Sequence, residues 1–145
     1  MVGWWSGELG KWLNGRGMAM GKTLEDLRIY RAAESLCDDI WHDVIGWERF
    51  ARDTVGKQLV QSSDSIGANI AEGYGRYHFR DDIRFLYYAR GSAKETGFWL
   101  RRAQNRGLIR SEKCSGFIEG LTLLEPQLNA YINSIRRKAN ETHAE

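Results

Sequence analysis

Proline is nearly missing: one residue in 145, Pro126, where loop-rich and turn-rich folds use many. That scarcity points to helices. Cysteine is equally sparse. Cys37 and Cys114 stand alone, without a C-x-x-C spacing, which excludes a disulfide framework and a zinc ribbon and suits a reducing, cytoplasmic compartment. The three histidines, His42, His78 and His143, have no i, i+4 partner, so no metal site follows from them. No run approaches the ~18 consecutive apolar residues of a membrane span. The N-terminus also lacks a basic segment followed by an apolar one. The expectation is a protein neither exported nor membrane-bound. A chain of 145 residues with 42% apolar residues makes one domain that buries a core without metal or disulfide.

Residues 1–22 hold six glycines and three of the six tryptophans, Trp4, Trp5 and Trp12, with no sustained period. They read as a flexible tail, either docking on a partner through its tryptophans or lying upstream of a start at Met18 or Met20. Residues 23–138 carry four apolar stripes. Thr23 and Asp26 resemble a capping box, after which Leu27, Tyr30, Ala33, Cys37, Ile40, Trp41 and Val44 recur at helical spacing to Gly46. A second helix is expected after Asp53 as N-cap, carrying Val55, Leu59, Ser62, Ile66 and Ile70 and ending at Gly73 and Gly75. The third spans about 81–105, with Ile83, Leu86, Ala93, Gly97 and Leu100 inward and Gly107 closing it. The fourth starts near Ser111 and carries Cys114, Phe117, Leu121, Leu124, Leu128, Tyr131 and Ile135, with a kink expected from Pro126 near Thr122. Residues 139–145 read as a disordered tail. Short connections make neighbours antiparallel, so the fold class is all-α, an up-down-up-down antiparallel four-helix bundle. A three-helix core with one detached helix would strand the fourth stripe in water.

No catalytic constellation emerges. Gly73-Tyr74-Gly75 lies between helices, where a dinucleotide loop would follow a strand, and Ser62, Ser63 and Ser65 have no nucleophile elbow. Glu72 or Glu95 as a hydrolytic base would lack a second positioned group. No cofactor is implied. Ser62, Ser65, Asn69 and Glu72 form a polar stripe on the second helix, and projection of the third turns Arg90 inward. A buried guanidinium needs a carboxylate, for which Glu72 is the expected partner and Asn69 a further one.

The net charge of +2 conceals segregation. Residues 23–50 hold seven acids against three arginines; residues 76–110 hold nine bases against three acids. Along the third helix Arg84, Tyr88, Gly91, Glu95, Phe98, Trp99, Arg102 and Arg106 follow one strip in which aromatics interleave with arginines. Such a strip meets either another subunit or nucleic acid. Tyr88, Phe98 and Trp99 suit a subunit interface. Arg76, Arg80, Arg84, Arg102, Arg106 and Arg110 are the candidates for RNA phosphates, or they rim that interface. The acidic first helix of one subunit would complement the basic third helix of its neighbour.

The stretch from Ser65 to Arg76 reads S-I-G-A-N-I-A-E-G-Y-G-R and is followed by Phe85-Leu86, Ala89-Arg90-Gly91-Ser92 and Glu95. Over about residues 24–138 this resembles the four-helix-bundle proteins encoded in intervening sequences of bacterial 23S ribosomal RNA genes. One departure is Gly67, where many relatives have proline and where glycine loosens the helix. The resemblance implies a bundle assembling into a homopentameric ring with a basic surface, no attached enzymatic activity, and association with structured RNA. A related bundle, the accessory protein of diversity-generating retroelements, suggests an alternative: a scaffold that binds a reverse transcriptase. Asn69, Glu72, Gly73, Gly75, Arg76, Gly91, Ser92 and Glu95 carry over as fold and assembly determinants, and Arg90 joins them from the helix projection.

Overall fold

In the computed structural model, which describes residues 23–76 and 78–144, Thr23 and Asp26 do pair. The Thr23 N–H donates to Asp26 Oδ2 at 2.8 Å, and its hydroxyl does so at 3.0 Å. That pair starts a single 3-10 turn, Leu24–Asp26, and not the long helix. Leu27 is extended, so helix α1 runs Arg28–Val44 with an inner stripe of Ile29, Ala33, Leu36, Ile40 and Val44. Trp41 was expected on this face. It lies about 100° from Ile40 on the helical wheel and is 50% exposed.

The second helix begins earlier than Asp53. Glu48 is the N-cap, its Oε1 accepting the Ala51 N–H at 2.7 Å. One α-turn, Arg49–Ala51, widens into a π-turn, Arg52–Gly56, and then continues as helix α2, Lys57–Tyr74. Asp53 therefore lies inside the π-turn, exposed, with Arg49 Nε at 3.6 Å. The wide turn brings Ala51, Val55, Gly56 and Leu59 all to the core side. Gly56 passes so close to α1 that a Cβ there would lie 2.7 Å from Val44 Cγ1. The α2 stripe then follows as expected through Ile66 and Ile70, and the helix is unbroken at Gly67.

Helix α3 spans Phe79–Asn105, starting two residues before Asp81 and placing Asp81 and Asp82 in the first turn, where a carboxylate favours the helix dipole. It ends in a Schellman motif. Gly107 takes φ +72°, its N–H reaches the Gln104 carbonyl at 3.0 Å, and the Leu108 N–H reaches that of Ala103 at 2.9 Å. Helix α4, Ser111–His143, passes through Pro126 and on through residues 139–143, which the sequence reading leaves as a disordered tail. Lys138, Ala139 and Glu141 are strong helix formers, and the Thr142 hydroxyl donates to the Lys138 carbonyl at 2.8 Å. The tail at residues 1–22 lies outside the described residues.

Four helices joined by short turns make the all-α bundle, with each packed on two neighbours: α1 on α2 and α4, α3 on α2 and α4. No strand occurs among the described residues. The detached-helix alternative fails because α4 contributes Cys114, Phe117, Leu121, Leu124, Leu128, Ile132 and Ile135 to the core. Gly56→Ala is expected to destabilise by roughly 1–3 kcal/mol, since branched, buried Val44 and the Ala51 carbonyl 3.3 Å away have little room to yield. Thermal unfolding should record a midpoint lower by roughly 3–10 °C.

Candidate nucleic-acid and assembly surface on α3

Packing on α2 and α4 consumes Asp82, Leu86, Ala89, Ala93, Thr96, Gly97, Leu100 and Ala103 of α3, which leaves the expected strip facing out. Tyr88 is 52% exposed and Phe98 49%. Trp99 is less open: it packs against the core, meets the Phe98 ring edge-on at 5.0 Å, and donates from Nε1 to Glu95 Oε1 at 3.3 Å. The Arg102 guanidinium covers Phe98 at 5.7 Å. Half the strip is thus prearranged as aromatic and guanidinium stacks.

The six candidate arginines do not form one patch. Arg76, Arg80 and Arg84 gather at the α2–α3 turn, and Arg102, Arg106 and Arg110 at the α3–α4 turn; eighteen residues of helix from 84 to 102 separate them by about 27 Å. They also differ in freedom. Arg76 is ion-paired with Glu72, and Arg84 Nη2 lies 3.7 Å from Asp81 Oδ1. Both guanidinium groups flank the Phe85 ring, at 4.8 and 5.4 Å from its centroid. Arg80, Arg106 and Arg110 are exposed and make no ion pair with any described residue.

The expected bond between Glu72 and Arg90 does not form. Glu72 is exposed at the end of α2 and reaches its i+4 neighbour Arg76. Arg90 is half-buried and turned toward α4, donating from Nη1 to Asn129 Oδ1 at 2.9 Å and stacking on Tyr87 at 4.9 Å. Asn69 donates instead to the Ser65 carbonyl at 2.8 Å. The serines of the polar stripe likewise satisfy themselves on their own helix: Ser62 on Leu59 and Ser65 on Gln61. Among the other motif residues, Gly75 has an ordinary φ of −77°, Gly91 faces open space, and the Ser92 carbonyl accepts the buried Thr96 hydroxyl at 2.8 Å. Because the Glu72–Arg76 pair is exposed, Glu72→Ala should cost at most about 1 kcal/mol, not the ~3–5 of a broken buried pair. Denaturant unfolding of the variant separates the two.

Sequence reasoning missed Asp82. It is 9% exposed, and its Oδ1 has no hydrogen-bond partner among the described residues. Gly73 makes the room: a Cβ there would lie 2.7 Å from Asp82 Oδ1 and 3.0 Å from its backbone oxygen. Burial pushes this carboxyl up to about 6, and Lys138 opposes the shift. Asp82 in turn helps burial raise the Tyr131 hydroxyl to about 12. A register of 82, 86, 89 and 93 would have exposed it as the acid on the inner face. With a folded value above the unfolded one near 4, the folded state holds its proton longer, so stability falls as pH rises from about 4 to about 6. The penalty above that window is on the order of 3 kcal/mol. Asp82→Asn should remove this slope and raise the melting midpoint at pH 7.5 relative to wild type; thermal melts across pH 4–7.5 test it.

A second missed feature is Phe50, 74% exposed beside the π-turn. It borders an apolar groove with Ala51, Val55, Trp99 and Leu108, and Arg106 stands on its edge. Neither thiol is set up as a nucleophile. Burial, joined by Asp64 and Asp38, pushes Cys37 up to about 12, and burial raises Cys114 against the charge of Arg101. Among the described residues no group of three or more His, Cys, Asp or Glu is placed to hold a metal ion, and no helix is long and apolar enough to cross a membrane.

With this geometry in hand, comparison with known proteins is informative. The profile of a family described as 23S rRNA-intervening sequence protein matches residues 25–130. The chain is also similar to the crystal structure of a protein with unknown function from the S23 ribosomal protein family of Bacteroides thetaiotaomicron VPI-5482. Identity is 23%, the alignment covers 72% of this chain and 97% of that one, and the TM-score is 0.65. At that identity the likeness is one of fold. No curated protein matches the chain.

Proposed function

The chain belongs to the 23S rRNA-intervening sequence protein family, and we propose that it is a non-catalytic, self-associating cytoplasmic protein that binds structured RNA through the two arginine clusters at the ends of α3. The observation that carries this reading is the pairing pattern. Three exposed arginines, Arg80, Arg106 and Arg110, have no carboxylate among the described residues and stand at both ends of a strip of exposed aromatics. Surface arginines without acids add little to stability, whereas each one that meets a phosphate releases counterions. Tyr88 and Phe98 between the clusters offer faces for an unpaired base or for a second subunit. Self-association in a ring of five covers Phe98 and Trp99. Light scattering on this reading gives a mass near five times 16.7 kDa.

Anisotropy titrations of labelled structured RNA across a salt series test the proposal. Log affinity should fall with log salt, and replacing Arg80, Arg106 and Arg110 together with Ala should flatten the slope by roughly 2–3. Replacing the acid-paired Arg76 and Arg84 should flatten it less. A salt-insensitive interaction, or none at low salt, rejects the RNA reading.

One observation favours a second reading, a scaffold that binds a protein such as a reverse transcriptase. The groove beside Phe50 is mainly apolar and has the chemistry of a protein contact more than of a phosphate contact. Phe50→Ser would weaken such a partner and leave the RNA salt slope unchanged.

A further inference from the structure

Gly56 and Gly73 are explained by close approach of a neighbouring helix, but Gly97 is not. It lies buried in the middle of a 27-residue helix, where glycine is unfavourable, and a Cβ there would meet nothing nearer than 3.5 Å. That nearest atom is Nη2 of Arg101, with Nη1 at 3.6 Å. The Arg101 side chain therefore folds back one turn, the direction helical side chains favour, and lays its guanidinium over bare backbone.

This guanidinium stands in a cleft between α3 and α4 with room for about 120 Å³. Arg90 and Lys94 line the same cleft, and Glu125 faces them from α4, so three cations meet one carboxylate. Glu125 is already engaged, its Oε2 accepting from Lys94 Nζ at 3.0 Å, and one Arg90 nitrogen is held by Asn129. Arg101 has no hydrogen bond or ion pair with any described residue. The apolar floor, Ala93 and Leu121, provides no acceptor for it.

From this arrangement we propose that the α3–α4 cleft is a binding site for a small phosphate-class oxyanion, either inorganic phosphate or the phosphoryl group of a phosphomonoester, with Arg101 as its principal ligand. A net charge of two positives calls for an anion, and the planar guanidinium fork matches tetrahedral oxyanions. The cleft has room for a phosphoryl group, and it opens along α4 into a wider groove that shares Arg101, Ile118 and Thr122. A continuous nucleic-acid backbone fits less well, because Glu125 and Glu119 line the same groove along α4 and repel successive phosphates. Arg101 also faces away from the strip that carries Arg84, Phe98 and Arg102, being rotated about 100° from Arg102.

The test is calorimetric titration of the full chain with inorganic phosphate at constant ionic strength held by potassium chloride. The expected result is saturable binding at one site, weakened at least tenfold in Arg101→Gln and tightened severalfold in Glu125→Gln, which removes the competing carboxylate and frees Lys94. Circular dichroism confirms that both exposed-site variants remain folded, and Arg137→Ala, outside the cleft, should bind as wild type does. Failure of wild type to saturate, or equal binding by Arg101→Gln, overturns the proposal. The RNA titration distinguishes the two sources of phosphate. An unchanged salt slope for Arg101→Gln supports a free anion, and a slope flattened by about one overturns the small-anion assignment by giving Arg101 to the RNA surface.

Discussion

The contact on which the surface of this protein depends is the one between Gly73 and Asp82. With no side chain at residue 73, α2 comes close enough for a Cβ there to fall within 3.0 Å of both a carboxylate oxygen and a backbone oxygen of α3. A helix held at such a distance has little freedom to rotate. Its inner face is then set from Asp82 through Ala103, and the outward strip of Arg84, Tyr88, Phe98 and Arg102 is the remainder. The outward surface is thus a consequence of how one end of α3 is packed. Gly73, expected as a helix end, acts through the space that its missing side chain leaves for Asp82.

Burying Asp82 at that point carries an electrostatic cost, visible in the raised proton affinity of its carboxyl. Two features offset part of it. The residue lies in the first turn of α3, where free N–H groups favour negative charge, and Lys138 of α4 opposes the shift. The second feature needs α4 to continue well past Pro126, which it does. Termination of the helix at the proline would remove Lys138 from the α2–α3 end of the bundle and leave Asp82 with burial alone.

The architecture was legible in the sequence because its signals are periodic and mutually consistent. The α2 stripe buries the residues that spacing selects, the α4 stripe does so except that Ile132 is buried where Tyr131 was expected and Tyr131 is only half-buried, and Gly107 adopts the left-handed conformation expected of a helix stop. What sequence missed depends on atoms brought together by tertiary packing. Periodicity has no means of anticipating a π-turn, so Asp53 looked like a cap while Glu48 performs that role. The helix projection turned Arg90 inward, where it is half-buried, but it gave no information on which helix faces it, and the partner is Asn129 of α4 and not Glu72 of α2. Asp82 was counted as one acid among several because charge tallies ignore which side of a helix a residue occupies. The arginine strip itself was readable, but its division into acid-paired and unpaired members was not.

That division is what the proposed surface role rests on. Exposed ion pairs such as Arg84 with Asp81 are worth little to stability, so neither the paired nor the unpaired arginines add much to the fold. The paired ones, Arg76 and Arg84, are instead fixed in place around the Phe85 ring. Their charge is partly cancelled by Glu72 and Asp81. Arg80 between them lies in the first turn of α3, and Arg106 and Arg110 stand beyond its far end, in the turn to α4, with no ion pair to any described residue. On the proposed reading an anionic partner would need to span about 39 Å of helix to meet both Arg80 and Arg106, and it would meet them on an already folded surface, without the entropic penalty of folding a basic segment upon binding.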